Sequence, residues 1–240
     1  MKKQEVLESL KDGLIVSCQA VPEEPHYMEG ITVKFAECAA WAGAKGIRAN
    51  SPEDIRAIKA QVDLPVIGIW KINRNVKDVY LTPNLEAAKA VWEAGAEIIA
   101  VQATHHYRDG GKLAYETIRE IKENIPEALI FADVSTAEDA RIAAEMGADF
   151  VAPTLAGYTK AGAFDKLEIK DAPDYILLRD IVDAVKGTGA RVIMEGKVAT
   201  PEIAVQCLYM GAYAVVVGNA ITRPHITAKR FARALNRFHD

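Results

Sequence analysis

Three ionisable residues end apolar runs of the sequence and could carry acid–base chemistry. They are Lys71, Asp133 and Glu195. Desolvation favours the neutral form of an amine and of a carboxylic acid, so Lys71 is a candidate base or Schiff-base nucleophile, and Glu195 a candidate general acid. Asp133 could orient Lys71 or bind a sugar hydroxyl. The alternatives are that Lys71 only extends into solvent and that Asp133 only caps the helix expected near Thr136.

Two glycine turns follow the last two predicted strands. They contain Gly196 with Lys197, and Gly218 with Asn219, and a helical pattern follows each of them. Glycine lets the backbone approach an anion, and the N-terminus of a helix attracts one. Barrels commonly hold phosphate after their seventh and eighth strands, so these turns predict a phosphate site.

Further polar residues stand at strand ends or in loops that could contact a substrate. These candidates are Gln19, Arg48, Gln102, Thr154, Tyr158 and Arg223. Arg48 and Arg223 are the expected side-chain partners of phosphate or other substrate oxygens, with an exposed ion pair as the alternative for each. Tyr158 lies in the irregular stretch 154–172, which could act as a lid.

Eight strand–helix units must position these residues. The strands are predicted at residues 14–19, 46–49, 65–70, 97–101, 129–132, 149–152, 191–194 and 213–217. A short helix over 3–11 precedes them, and a closing helix is predicted over 225–238. Strands that alternate with helices indicate parallel pairing. We therefore predict one α/β domain over residues 1–240, a single (β/α)8 TIM barrel with a short N-terminal leading helix. A doubly wound open sheet is the alternative.

Composition excludes several classes of protein. The 240 residues carry a net charge of −4 without a basic block, so no nucleic-acid partner is expected. No apolar run approaches the roughly 20 residues that cross a bilayer, and the charged N-terminus does not resemble a signal peptide. The three cysteines have no metal-ligand or CxxC spacing, which favours the cytoplasm. Neither a histidine metal motif nor a dinucleotide or P-loop motif is present, so no metal and no cofactor are expected.

Seven motifs occur along nearly the whole chain in the order of a known family. They are LIVSCQA (14–20), GIRAN (46–50), PVIGIWK (65–71), ADVST (132–136), TLAGYT (154–159), EGK (195–197) and VVVGNAITRP (215–224). Together they resemble the N-acetylmannosamine-6-phosphate 2-epimerases. The resemblance implies a cofactor-independent isomerase of sialic-acid catabolism, acting on a sugar phosphate as a homodimer.

The family's functional residues carry over to positions already selected by strand ends. The resemblance makes Lys71 and Glu195 the catalytic pair and adds the aspartate of the ADxST motif, Asp133. It also assigns substrate binding to three polar residues, Gln19, Arg48 and Arg223.

The sequence departs from the family pattern around the sugar rather than the phosphate. Gln102 stands where an ALDAT-like run has a carboxylate, and Pro153 and Ala156 alter the run after the sixth strand. Two other functions remain open: a Schiff-base aldolase acting through Lys71, and a sugar-phosphate-binding barrel without catalysis.

Overall fold

The computed structural model describes residues 3–72, 79–108, 110–157, 172–236 and 238. The strands are β1 (Leu14–Cys18), β2 (Gly46–Asn50), β3 (Val66–Ile69), β4 (Ile98–Gln102), β5 (Leu129–Asp133), β6 (Phe150–Ala152), β7 (Arg191–Glu195) and β8 (Ala214–Val217). The helices are α1 (Lys3–Leu10), α2 (Ile31–Trp41), α3 (Pro52–Lys59), α4 (Leu85–Glu93), α5 (Glu116–Asn124), α6 (Ala137–Glu145), α7 (Tyr175–Ala184), α8 (Pro201–Tyr209), α9 (Asn219–Thr222) and α10 (Pro224–Asn236).

The eight strands close into a parallel barrel. Each strand pairs with the next along the chain, and β8 pairs with β1. The predicted TIM barrel and its leading helix are therefore confirmed. The strands are apolar without alternation because both of their faces are covered, and every residue of β3, β4, β5 and β8 is buried.

The leading helix α1 closes the bottom of the barrel. Its residues Val6, Leu7 and Leu10 are buried and belong to the cluster inside the barrel. A Cβ atom on Gly46 would lie 2.7 Å from Leu10 Cδ2, so a larger residue at the start of β2 would displace the buried Leu10 side chain. The opposite end, where the strands terminate, is left as the mouth.

Four helices are each followed by one residue and then by a glycine and an alanine. Gly43, Gly95, Gly147 and Gly211 follow α2, α4, α6 and α8, each with a φ between 84° and 103°. The residue after each glycine donates its N–H to a carbonyl in the last turn of the helix, as Ala148 does to Ala143 O at 3.0 Å. This left-handed ending turns the chain from the helix into the following strand.

Two seams of the barrel are short. Pairing of β3 with β4, and of β6 with β7, covers two residue pairs each, whereas β4 and β5 share five. At the first seam, residues 79–82 fold back along the end of β3, where Lys71 and Leu81 form an antiparallel bridge. We call residues 79–82 the return segment.

The closing helix expected over 225–238 is present as α10, and the short helix α9 precedes it. None of the residues of α10 is buried. Phe231 and Leu235 are 69% and 68% exposed, so this helix does not cover the barrel wall in the way that a closing helix would. No helix in the described part of the chain has the length and apolar character to cross a membrane.

Candidate functional site

A cavity of about 390 Å³ opens at the carboxyl ends of the strands. It is large enough for a small metabolite. Its walls include ten of the residues predicted from the sequence. They are Gln19, Arg48, Lys71, Thr154, Glu195, Gly196, Lys197, Gly218, Asn219 and Arg223. The strand ends therefore bring most of the candidates into one cavity.

Arg48 joins two carboxylates at the floor of the cavity. Its Nη2 donates to both oxygens of Asp133, at 2.8 and 2.6 Å, and its Nη1 donates to Glu195. The guanidinium also lies 4.9 Å from the centre of the Phe131 ring. Arg48 is 1% exposed and Asp133 is fully buried, so this trio is held inside the barrel rather than at its rim.

Burial and charge oppose each other in the trio. Desolvation alone lowers the pKa of Arg48, but Asp133 and Glu195 raise it above its ordinary value, so the guanidinium stays charged. Burial raises the pKa of Glu195, and the negative charge of Asp133 raises it further. Arg48 lowers this pKa, but the net shift is upward. A carboxyl with a raised pKa exchanges protons closer to neutral pH, as a general acid requires.

Lys71 reaches into the same cavity from the end of β3. Its Nζ donates to Gln19 Oε1 at 2.6 Å, and Gln19 Nε2 donates to Ser17 Oγ at 2.9 Å. The main-chain N–H of Lys71 donates to Asn50 Oδ1 at 3.0 Å. The ends of β1, β2 and β3 thus orient the amine towards the trio, and the Lys71 charge also lowers the pKa of Glu195.

Two turns form the rim of the cavity. Gly196 and Lys197 both have a positive φ, at 113° and 57°. At Gly218 an added Cβ would lie 3.3 Å from Ser17 Cβ, so the backbone of this turn passes close to the end of β1. Arg223 forms an ion pair with Glu24, and its Nη1 donates to Asn219 Oδ1 at 2.6 Å.

Two of the described sequence candidates do not line the cavity. Asp133 lies beneath Arg48, and Gln102 is 3% exposed and turned towards the return segment. Tyr158, with most of the stretch predicted as a lid, lies outside the described residues.

Five further polar residues, none of them predicted from the sequence, also line the cavity. They are Ser17, Tyr80, Asp174, Thr227 and Arg230. Ser17 lies two residues before Gln19 on the inward side of β1, so strand alternation could have identified it. No local pattern in the sequence identifies Tyr80 or Arg230. They reach the cavity only because tertiary packing brings the return segment and α10 to its edge. Within the described residues, no group of three or more His, Cys, Asp or Glu is placed to hold a metal ion.

Comparison with protein families gives one match that spans most of the chain. Residues 32–237 match the family described as "Putative N-acetylmannosamine-6-phosphate epimerase". A relative from Caldanaerobacter subterraneus subsp. tengcongensis, named "Putative N-acetylmannosamine-6-phosphate 2-epimerase", is 44% identical over 95% of this chain and 93% of its own length. A relative of the same name from Listeria welshimeri is 40% identical over 98% of this chain and 97% of its own length.

Solved structures give a similar result. The N-acetylmannosamine-6-phosphate 2-epimerase from Clostridium perfringens superposes with a TM-score of 0.86 and 36% identity, covering 95% of both chains. A thiamine phosphate pyrophosphorylase from Pyrococcus furiosus has a TM-score of 0.58 at 20% identity, which indicates a shared fold alone.

Proposed function

The chain belongs to the N-acetylmannosamine-6-phosphate epimerase family, and we propose that it interconverts N-acetylmannosamine 6-phosphate and N-acetylglucosamine 6-phosphate. It is an isomerase that removes and returns the proton at C2 without an organic cofactor. The observation that carries the proposal is the shared cavity of Lys71 and Glu195, above an arginine that binds both Glu195 and Asp133. A pure binding protein has no need for a base and an acid at one mouth.

The reaction uses the acidity of a carbon next to a carbonyl. With the sugar in its open-chain aldehyde form, the Lys71 amine takes the C2 proton, and the electron pair of the C–H bond forms an enolate with C1 and its oxygen. Arg48 stabilises negative charge near this oxygen. Glu195 supplies or relays a proton during ring opening, enolisation or return to C2. Asp133 holds Arg48 in place, and Gln19 orients the lysine amine.

We propose that the substrate phosphate binds at the rim. The turns at Gly196 and Gly218 follow β7 and β8, where barrels commonly hold phosphate. Lys197 and Asn219 belong to the same turns, and Arg223 and Thr154 border the cavity. Because Glu24 already binds Arg223, part of its charge is neutralised, and Arg230 is a further cation within reach of the rim.

A homodimer is part of this proposal. Phe231 and Leu235 lie one turn apart on α10 with their side chains uncovered, and Tyr209 on α8 is 89% exposed. A second copy of the chain would cover such apolar surface. Light scattering should give twice the chain mass, and the double variant Phe231→Ser, Leu235→Ser should give the mass of one chain.

We also propose that this single-domain enzyme of amino-sugar breakdown is located in the cytoplasm. Its three free cysteines support a reducing compartment.

Proton NMR in D2O tests the reaction. With N-acetylmannosamine 6-phosphate, the C2 proton signal should disappear while the N-acetylglucosamine 6-phosphate isomer grows. Lys71→Ala should lower the rate about 10²–10⁴-fold, as loss of a general base does. Lys89→Ala, at an exposed lysine on α4, is the matched control and should keep the full rate.

Other outcomes separate the alternatives. Trapping of Lys71 by borohydride with a sugar phosphate would indicate Schiff-base lyase chemistry and contradict the epimerase mechanism. Binding of the sugar phosphate without any C2 exchange would leave a binding barrel.

A further inference from the structure

The return segment (residues 79–82) fills the gap between the ends of β3 and β4. Direct pairing of these strands covers only two residue pairs. Beyond them, the N–H of Thr82 donates to Trp70 O at 2.8 Å, and the N–H of Gln102 donates to Leu81 O at 3.0 Å. The return segment is therefore bonded to the end of β3 on one side and to the end of β4 on the other.

The same segment fixes the main chain at Lys71. Lys71 pairs with Leu81 in an antiparallel bridge, and the N–H of Ile72 donates to Tyr80 O at 2.9 Å. On the opposite side, Asn50 accepts the Lys71 N–H. The main chain from which the lysine side chain starts is thus held by β2 on one side and by the return segment on the other.

Gln102 forms hydrogen bonds to the return segment with its side chain as well as with its main chain. Its Oε1 accepts from the Tyr80 N–H at 3.2 Å, and its Nε2 donates to Thr104 Oγ1 at 3.1 Å. Thr104 Oγ1 in turn lies 2.9 Å from His106 Nδ1. Both ends of the amide are therefore occupied within the protein, and Gln102 does not line the cavity.

We propose that Gln102 is a positioning residue for Lys71, acting through the return segment, and that Thr104 and His106 orient its amide. The inference rests on the proposed function, in which Lys71 is the base. It also changes the interpretation of Gln102 from a substrate contact to a support of the base. The choice of sugar is then independent of this residue.

A neutral amide suits this position for two reasons. Its Nε2 supplies a donor to Thr104, which a carboxylate lacks. Gln102 is also the register partner of Asp133 on the neighbouring strand. A carboxylate there would place a third acid beside Asp133 and Glu195, which already share Arg48.

Steady-state epimerisation of N-acetylmannosamine 6-phosphate by Gln102→Leu tests the proposal. The variant removes the acceptor for Tyr80 N–H, so we expect kcat to fall about 10- to 100-fold, the range associated with misplacement of a reacting group by up to ~1 Å. KM should stay within about threefold, because the phosphate rim is untouched. Gln61→Leu, at an exposed glutamine, is the matched control and should change neither constant.

Gln102→Glu adds a readout that a general loss of structure would not produce. It keeps an oxygen for the Tyr80 N–H, so kcat should recover to within about fivefold of the wild type. Because the new carboxylate stabilises bound protons near Lys71, the optimum of kcat should move to higher pH.

The outcomes are distinguishable. A KM raised tenfold or more in Gln102→Leu with an unchanged kcat would make Gln102 a substrate contact and overturn the inference alone. An unchanged kcat and KM would overturn it as well. A wild-type protein without C2 exchange would overturn the proposed function and this inference together. If Gln102→Leu does not fold, Thr104→Val decides: a kcat about threefold lower supports the positioning role, and an unchanged kcat contradicts it.

Discussion

Among the described residues, two arginines each bind two carboxylates, in opposite surroundings. Arg48 joins Asp133 and Glu195 inside the barrel, whereas Arg141 joins Glu138 and Glu145 on the surface of α6. The Arg48 side chain is 1% exposed and the Arg141 side chain 42%. The groups are nearly the same, so the comparison isolates the effect of burial.

The exposed group around Arg141 should contribute little to stability, whereas the buried group around Arg48 should be essential to the site. An exposed pair exchanges hydration for a screened attraction and contributes little. A buried trio has already lost its hydration, so its charges depend on each other, and removal of one leaves the others uncompensated. Burial also raises the pKa of Glu195, which favours its use as a general acid.

The largest expected difference is between Arg48→Met and Arg141→Met. Arg48→Met should lower the free energy of unfolding by about 3–5 kcal/mol, because Asp133 and Glu195 lose their counter-charge. C2 exchange should fall at least about 100-fold. Arg141→Met should change neither stability nor activity measurably. Urea unfolding at pH 7 and the NMR exchange assay measure both, and equal destabilisation by the two variants would refute the comparison.

A smaller effect appears in the pH dependence of stability, with opposite signs at the two sites. Burial raises the pKa of Glu195, whereas the hydrogen bond from Arg141 lowers the pKa of Glu138. The folded protein thus binds the Glu195 proton more tightly than the unfolded chain does, and the Glu138 proton less tightly.

The measurement compares the wild type with Glu195→Gln and with Glu138→Gln. As pH rises above the ordinary glutamate value of 4.5, the stability of the wild type relative to Glu195→Gln should fall. Relative to Glu138→Gln, the wild-type stability should rise from acid towards pH 4.5 and then level off. Urea unfolding between pH 3 and 8 gives both curves, and slopes of the same sign would count against the assignment.

The smallest effect is the response to salt. At ~1 M NaCl the screening length is about 3 Å, so the pH-dependent contribution of Glu138 should shrink towards zero. The contribution of Glu195 should shrink less, because its side chain is 14% exposed and that of Arg48 is 1% exposed, which limits screening by solvent ions. A loss of both contributions in salt would indicate that solvent enters the floor of the cavity.

Much of the fold could be predicted from the sequence because strand ends and helix ends are chemically marked. The apolar runs before Asp133 and Glu195 became β5 and β7, each extended by the acidic residue itself. The glycines after four helices marked where each one stops. A closed barrel also follows from eight parallel units, and it places the strand ends together without knowledge of any side-chain contact.

The partners of these residues could not be predicted, because they depend on where other strands place their side chains. Asp133 was expected to orient Lys71 or bind a hydroxyl, and its position against Arg48 arises from strands far apart in sequence. Gln102 ends β4 as expected, but the return segment occupies the space towards which it was predicted to face. The exposed face of α10 likewise gives no local signal, since its apolar pattern is that of an ordinary closing helix.

The two short seams of the barrel bear on how the molecule opens. They divide the sheet into one arc of β4, β5 and β6 and a second arc that runs from β7 through β8 to β3. The return segment adds hydrogen bonds to both strands at the boundary between β3 and β4, so local opening should begin at the boundary between β6 and β7. Asp133 belongs to the first arc, while Arg48 and Glu195 belong to the second. The ion pair between Arg48 and Asp133 therefore also links the two arcs across the inside of the barrel.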